Sequence, residues 1–282
     1  MEGINHMNAL QAMVLGVVQG LTEFLPVSSS GHLALLGGLF GRLDEGNYLL
    51  LSVWLHLGTL FSVLIAMRRD IGALFVELFR WMAAGFRVER KPRRRFLVLL
   101  LFALLPLVVL VPFRNILEKI MDSPLLIGSM LLVTAFLLHG AEKLPKGRKN
   151  ESNAPYVDGF MVGVFQCFAI LPGLSRTGTT LVAGLSRGFT RDFAVRFSLV
   201  LSVPVILAWD FLRMGQVAAQ TEQVEVATSV YVAGVLAAMV SGLFAIRLLR
   251  TMVRRGNFRP FVLYCAAVGT VTVLMGLAQV GI

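Results

Sequence analysis

Polar side chains interrupt an apolar stretch near the start of the chain, at residues 19–32. Gln19 and Glu23 are four residues apart, so they share one face of a helix. Glu23 could hold a divalent cation or act as a base, and His32 could serve as an acid or base in the same pocket. Because ionisable groups within a membrane segment are costly, they are candidates for function. These residue types at this spacing indicate a site that handles phosphate.

Three consecutive serines, Ser28, Ser29 and Ser30, stand just before Gly31 and His32. They suit the start of a helix, where hydroxyls accept hydrogen bonds from first-turn amides. The same free amides, together with the helix dipole, favour a bound phosphate group. One serine would be enough for a cap, so the triplet favours a ligand over capping alone. For His32, the alternative to a functional role is a buried, hydrogen-bonded structural histidine.

A second polar cluster occupies residues 172–180 and contains Arg176. The planar guanidinium of arginine can grip a phosphate with two parallel hydrogen bonds. Ser175 and Thr177, on either side of it, supply further donors for phosphate. An arginine at membrane depth without an oxyanion partner would be very unfavourable, so this cluster is predicted to be the second half of the same site. The alternative is that Arg176 and Glu23 form a purely structural ion pair.

The composition indicates a membrane protein. Of the 282 residues, 56% are hydrophobic and 15% are charged, and several apolar runs are long enough to cross a hydrocarbon core about 30 Å thick. A barrel would need alternating strands, which the sequence lacks. The net charge of +10 sits in short loops, where the positive-inside rule places it, and does not indicate nucleic-acid binding. The sequence predicts one all-α polytopic membrane domain over residues 1–282 with six transmembrane helices, at residues 49–67, 96–113, 124–141, 193–213, 229–248 and 260–281.

Each polar cluster lies at a break between two short apolar pieces. Residues 8–25 end at Pro26, which cannot continue a helix without losing a hydrogen bond, and residues 30–40 are too short to cross the membrane. Residues 156–171 and 176–189 repeat this pattern around residues 172–173. Non-helical backbone at membrane depth must be buried in protein or line a cavity, so both pairs are predicted to be re-entrant helix hairpins.

The two halves of the chain resemble each other in order, with repeat one at about 8–141 and repeat two at about 156–281. Each half is one hairpin followed by three spans, and three spans invert the second half relative to the first. Inverted repeats with broken helices place a binding site where the breaks meet. Placing the three basic clusters inside makes the first hairpin enter from outside and the second from inside.

Four further residues are open to more than one interpretation. His56 faces the predicted midplane and is a candidate site residue, although helix packing explains it equally well. Asp210 and Arg196 lie near span ends, so solvation at the membrane interface is the expected explanation for both. Cys265 is interpreted, like the remaining cysteine, as a small buried hydrophobic residue and not as a disulfide partner.

The stretch from Gln19 to His32 closely resembles the glutamate-rich motif of the undecaprenyl-diphosphatase family, also called the bacitracin-resistance protein family. Pro-Gly-Leu-Ser-Arg-Thr-Gly at residues 172–178 is similar to the second signature of that family. The resemblance implies a membrane phosphatase that converts undecaprenyl diphosphate to undecaprenyl phosphate and phosphate, recycling the lipid carrier of cell-wall synthesis. It also implies a divalent cation, Mg²⁺ or Ca²⁺, and a site in the bacterial cytoplasmic (inner) membrane that opens toward the outer, periplasmic face.

The motif positions imply a role for individual residues. Glu23 corresponds to the essential glutamate, Ser29 to the favoured nucleophile, His32 to a participant and Arg176 to the phosphate-binding arginine. Many family members have glutamate where this chain has Gln19, so the second carboxylate of a metal site is missing here; glutamine can still coordinate through its carbonyl oxygen. The rival assignments make His32 the nucleophile or use water directly.

Two other functions are alternatives to the phosphatase. A transporter or flippase for a phosphorylated prenyl lipid or an anion fits an inverted repeat with broken helices equally well. The type 2 phosphatidic acid phosphatase family shares a Ser-Gly-His motif but requires a later histidine, and no histidine follows Arg176. The partners predicted are a polyprenyl diphosphate substrate and membrane lipids, without nucleic acid; a homodimer is left open beside a monomer.

Overall fold

The computed structural model describes residues 8–39, 45–86, 91–110, 123–218 and 227–280, and the only regular structure within them is helical. We number the helices in chain order: α1 Ala9–Phe24, α2 Ser29–Leu39, α3 Glu45–Ala66, α4 Arg68–Ala83, α5 Pro92–Leu110, α6 Pro124–Glu142, α7 Tyr156–Phe168, α8 Arg176–Ser186, α9 Arg191–Ala218, α10 Thr228–Arg255 and α11 Arg259–Val280. The all-α prediction is confirmed for these residues.

Helix ends follow local chemistry where the candidate site lies. α1 begins at a capping box, in which the Asn8 side chain accepts from the amide of Gln11 and the Gln11 side chain accepts from the amide of Asn8. It ends at Phe24, two residues before Pro26. α8 begins after Ser175, whose hydroxyl accepts from the amide of Gly178 at 3.1 Å. Both breaks predicted from the sequence are therefore present.

Five helices of the described chain are long and apolar enough to cross a membrane: α3, α6, α9, α10 and α11. They correspond to five of the six predicted spans. The sixth, at 96–113, coincides with α5, whose first turn carries three arginines and whose described part ends at Leu110. Residues 111–113, residues 87–90 of the first basic cluster and residues 219–226 of the predicted outer loop lie outside the described residues.

Small residues let helices approach closely on both sides of the bundle. A side-chain carbon on Gly16 of α1 would stand 2.4 Å from the Gly234 carbonyl oxygen of α10. A carbon on Gly163 of α7 would stand 2.3 Å from the Ala103 carbonyl oxygen of α5. In a membrane, where apolar burial adds little between helices, such contacts are a main source of packing energy. The helices that carry the breaks are therefore fixed against long apolar neighbours.

The short helix α4 is amphipathic and packs beside α5. Its exposed apolar side includes Phe75 and Phe79, as expected for a helix that lies in the membrane interface. On its polar side, Asp70 binds Arg196 of α9 at 2.8 Å. Arg196 also binds Glu151 at 2.9 Å, so ion pairing, and not solvation alone, accounts for this arginine.

Candidate active site

The two helix breaks meet inside the bundle. A side-chain carbon on Gly31 would lie 3.2 Å from the Gly173 backbone, and one on Gly178 would lie 3.2 Å from Pro26. Gly173 adopts φ +92°, which favours glycine, and its amide donates to the Ser28 hydroxyl at 3.1 Å. Residues separated by about half the chain are thus joined at one point, as the sequence predicts for two halves of one site.

Glu23 is the centre of the polar cluster. Its Oε1 accepts from Arg176 Nη2 at 2.8 Å, and its Oε2 accepts from the Ser29 hydroxyl at 2.7 Å. Gln19 Nε2 also donates to Oε2, at 3.0 Å, and the Thr177 hydroxyl donates to the Glu23 backbone carbonyl at 2.9 Å. A buried carboxylate needs such compensation, and each of these partners was singled out in the sequence.

Arg176 is only partly neutralised by this pairing. Its Nη2 binds Glu23, whereas its buried Nη1 has no hydrogen-bond partner among the described residues. A buried donor without an acceptor is costly, and guanidinium groups are well suited to phosphate oxygens. The free nitrogen is therefore a place where an anionic ligand would be stabilised, beyond what a structural ion pair requires.

Ser29 and Glu23 have the geometry of a nucleophile and its base. The half-buried Ser29 hydroxyl donates its proton to the carboxylate at 2.7 Å, within the 2.6–3.2 Å or so in which a base can take a proton. The hydroxyl stands at the first residue of α2, where unpaired amides favour an anion. This arrangement supports attack on phosphorus by Ser29.

His32 is held at both ring nitrogens. Nδ1 lies 2.7 Å from the Ser28 carbonyl oxygen, which can only accept, so Nδ1 carries a proton. Nε2 lies 2.8 Å from the Tyr264 hydroxyl of α11, and the two rings stack with centroids 5.5 Å apart. Since neutral imidazole accepts at its second nitrogen, Tyr264 donates to His32. Tyr264 did not emerge from the sequence.

The remaining hydroxyls of the predicted phosphate site differ in their surroundings. Ser28 is buried with φ +71°, an uncommon conformation for a residue with a side chain. Ser30 is exposed at 3.4 Å from the Ser28 hydroxyl. Ser175 caps α8, and the single hydroxyl proton of Thr177 points to the Glu23 carbonyl. Phosphate binding by these four residues stays a prediction, and it would require Thr177 to give up its present partner.

His56 forms a part-buried pair with Asp210. Its Nδ1 lies 2.7 Å from Asp210 Oδ1, between α3 and α9, and Asp210 is only 6% exposed. The expectation that Asp210 is solvated at the interface is wrong, because α9 continues to Ala218 and keeps this residue within the bundle. The pair joins α3 to α9, and a role of His56 in the site stays a prediction.

The donors available for a cation are few. The described residues contain no group of three or more histidines, cysteines or carboxylates that could hold a metal ion. Glu23 supplies one carboxylate, and Gln19 Oε1 is buried without a hydrogen-bond partner in the described chain. Mg²⁺ typically binds one or two carboxylates and completes its shell with water and substrate phosphate. The residues fit such a cation better than the larger, all-protein shell of a Ca²⁺ site.

Comparisons with known proteins place the chain in one family. The family of the bacitracin resistance protein BacA matches residues 12–271. An undecaprenyl-diphosphatase from Alkaliphilus metalliredigens is 37% identical over 276 residues, covering 96% of this chain and 100% of the relative. One from Carboxydothermus hydrogenoformans is 36% identical over 271 residues, covering 95% of this chain and 97% of the relative. The chain therefore belongs to the bacitracin resistance protein BacA family.

Proposed function

We propose that this protein hydrolyses undecaprenyl diphosphate to undecaprenyl phosphate and phosphate in the bacterial membrane, and so recycles the lipid carrier for peptidoglycan synthesis. The observation that carries the proposal is the Ser29–Glu23–Arg176 arrangement. The carboxylate of Glu23, as the base, binds both Ser29, as the nucleophile, and Arg176, as a phosphate ligand with one unpaired nitrogen. Relatives named undecaprenyl-diphosphatase along nearly the whole chain support it. Family membership favours this activity over the transporter or flippase.

In the proposed mechanism the diphosphate enters between the two breaks while the prenyl chain stays in lipid. Arg176 Nη1 and the amides at the start of α2 bind the phosphate oxygens and stabilise the charge that spreads over them in the transition state. Ser29 attacks the terminal phosphorus, and its proton passes to Glu23. The bond to the bridging oxygen breaks and undecaprenyl phosphate leaves. Water then attacks the phosphoserine and its two protons stay on the phosphate, which leaves as dihydrogen phosphate, while the proton on Glu23 returns to Ser29 as the bond from Ser29 to phosphorus breaks.

His32 is given a supporting role in this mechanism. Both of its nitrogens already have partners, Ser28 and Tyr264, whereas the Ser29 hydroxyl lies directly on the base. We therefore favour Ser29 over His32 as the nucleophile. His32 orients the start of α2, where Ser28 and Ser29 lie.

A divalent cation held by Glu23 and Gln19 would neutralise charge on the bound diphosphate and its leaving group. Gln19 carries no charge, so the site would bind the cation more weakly than a two-carboxylate site would. Gln19→Glu is expected to lower the Mg²⁺ concentration that gives half-maximal activity. An unchanged Mg²⁺ titration would remove Gln19 from the proposed site.

We also propose that the chain folds as six spans and two re-entrant hairpins in an inverted repeat. In support, α1 packs on α10 as α7 packs on α5, and these helices correspond in the two halves. Gln166, which the repeat aligns with Gln19, is likewise buried, and the side-chain oxygen of each glutamine lacks a partner in the described chain. The three basic clusters support a site open to the outer face of the inner membrane.

The proposal is tested by phosphate release from a prenyl diphosphate in detergent. We expect metal-dependent release by the wild type and a loss of at least about a hundredfold for Arg176→Ala, because the main phosphate ligand is gone. No release from any prenyl diphosphate would overturn the proposal in favour of the transporter.

In rapid-quench experiments a phosphorylated residue is expected at Ser29. Label at His32 would make the histidine the nucleophile, and label at neither residue would favour direct attack by water.

A further inference from the structure

A cavity of about 570 Å³ opens beside α4 and the start of α5, and none of the candidate active-site residues lines it. Eight of its lining residues are charged. Five are cations and three are carboxylates: Arg69, Arg80, Lys91, Arg93, Arg196, Asp70, Glu77 and Glu151. The cavity is therefore a concave, mainly basic surface in a part of the molecule to which the phosphatase mechanism assigns no role.

Each carboxylate around this cavity already has an arginine partner. Glu77 binds the buried Arg94 at 2.9 Å. Asp70 and Glu151 both bind Arg196, at 2.8 and 2.9 Å. Arg94 and Arg196 together offset two of the three negative charges, so one is left against the four other cations that line the cavity.

Three exposed arginines remain on the wall: Arg69, Arg80 and Arg93. None of them forms an ion pair with another residue in the described ranges. Three guanidinium groups around one concavity repel each other unless an anion lies between them, and arginine forms its strongest hydrogen bonds with phosphate and carboxylate oxygens.

The two faces of α4 indicate how deep the cavity lies in the membrane. Arg69, Glu77 and Arg80 line the cavity, while Phe75 and Phe79 of the same helix are 61% and 54% exposed on the other side. A helix with one aromatic face and one charged face lies along the membrane interface. The cavity therefore opens at the level of lipid headgroups, next to aromatic side chains that acyl chains can cover.

We propose that this cavity, bounded by Arg69, Arg80 and Arg93, binds the phosphorylated headgroup of an anionic membrane lipid. Basic pockets between membrane helices on the cytoplasmic side commonly take such headgroups, and a volume of several hundred cubic ångströms admits a phosphodiester with its polar substituent. The positive-inside rule explains why the arginines lie in this segment. It does not explain why they surround a cavity whose acids are already paired.

The test is native mass spectrometry of the whole protein with phosphatidylglycerol or phosphatidylcholine added. The pocket variant is Arg69→Gln/Arg80→Gln/Arg93→Gln. The matched control is Arg148→Gln/Arg255→Gln/Arg259→Gln, which removes the same charge from exposed arginines of the other basic clusters that do not line the cavity. Phosphate release by each variant verifies that it is folded, since none of these residues belongs to the catalytic site.

We expect the wild type to bind phosphatidylglycerol in preference to phosphatidylcholine. At about 1 kcal/mol for each arginine, the pocket variant should bind it about a hundredfold more weakly and the control at most a few-fold more weakly. Equal losses in both variants would show a general basic surface and overturn the proposal.

Displacement of the lipid by millimolar inorganic phosphate, with equally tight phosphate binding, would assign the cavity to free phosphate instead. If the triple variant does not fold, Arg80→Gln alone should weaken binding about fivefold.

Discussion

One carboxylate connects both halves of the candidate site. Glu23 accepts from Ser29 on one oxygen and from Arg176 on the other, so its charge contacts both the proposed nucleophile and the proposed phosphate ligand. When phosphate binds, Arg176 can donate to it from Nη1, which has no partner among the described residues. Nη2 can keep its hydrogen bond to Glu23 at the same time. In the proposed mechanism, the Glu23–Arg176 pair thus stabilises the empty site and becomes part of the catalytic arrangement when substrate arrives.

Glu23→Gln keeps the shape of the side chain but removes the base. We expect kcat for phosphate release to fall by about 10²–10⁴-fold, the usual contribution of a general base. The measurement is phosphate release at saturating prenyl diphosphate, normalised to folded protein.

A suitable control for this loss is Glu77→Gln, because Glu77 also pairs with a buried arginine, Arg94 at 2.9 Å. Losing the partner of a buried charge lowers stability at either position. Only Glu23→Gln should also lower kcat by about 10²–10⁴-fold. Equal activity per folded molecule in the two variants would make the Glu23–Arg176 pair structural.

Tyr264→Phe tests the role of His32. The substitution removes the hydroxyl that donates to Nε2 at 2.8 Å and leaves the ring stack in place. Because one hydrogen bond is worth about 1 kcal/mol, we expect kcat to fall by about two- to tenfold with little change in KM. Tyr231→Phe, on a ring packed against Trp54, is the control and should leave kcat unchanged. A loss as large as that of Glu23→Gln would instead place the tyrosine in the chemistry.

The contacts that the sequence did not reveal share one property. Tyr264 is 232 positions from His32, and Asp210 is 154 positions from His56. Glu23, Ser29 and His32 could be identified because they stand together in one motif with helical spacing. Arg176 could be identified because an arginine in a membrane segment needs an anion. A tyrosine on an apolar helix carries no comparable local signal, and only tertiary packing brings it to the histidine.

At the scale of elements, the break of each hairpin is fixed by helix packing beneath it. On α1, a side-chain carbon at Gly20 would stand 2.0 Å from the Ser241 hydroxyl and 2.4 Å from the Ala238 carbonyl oxygen. The second of these atoms is backbone and cannot turn away. Gly20 lies three residues before Glu23, so any shift of α1 against α10 would move the base.

Gly20→Ala should therefore destabilise the protein. The alanine gains about 0.5–1 kcal/mol of helix propensity, but overpacking against backbone costs about 1–3 kcal/mol, so we expect a lower unfolding midpoint in detergent. Gly72→Ala in α4 meets nothing within 4 Å and should raise the midpoint slightly. If the two variants had the same midpoint, close packing of α1 on α10 would not hold the hairpin.

The element boundaries could be predicted closely where a chemical signal marks them. Pro26 sets the end of α1, and the break at residues 172–175 sets the start of α8. Both boundaries lie within a residue or two of the predicted positions. Helix α10 extends beyond its predicted span, to Arg255, because hydropathy marks the apolar core and not the basic turns that continue the helix beyond it. The close contacts of the glycines could not be predicted, since glycine frequency does not say which neighbour is near.

At the scale of the whole molecule, the proposed orientation rests on charge. The exposed loop at 143–155 is basic and is expected inside, whereas residue 227, after a loop with almost no basic charge, is expected outside. Three helices lie between these positions: α7, α8 and α9. If α7 and α8 enter and leave on the same side, α9 provides the single crossing and the two positions lie on opposite sides.

This arrangement is tested by labelling single cysteines in intact cells. In a chain whose two free cysteines are replaced by alanine, Ala227→Cys should react with an impermeant maleimide directly, and Ser152→Cys only after permeabilisation; both positions are exposed. Reaction of both without permeabilisation would mean that α7 and α8 together form one crossing, which would rule out a re-entrant hairpin. Labelling of Ser152→Cys alone would invert the protein and open the site toward the cytoplasm. Each variant should retain phosphate release in detergent, since the two positions lie outside the Glu23 cluster, and this verifies that the labelled chain is folded.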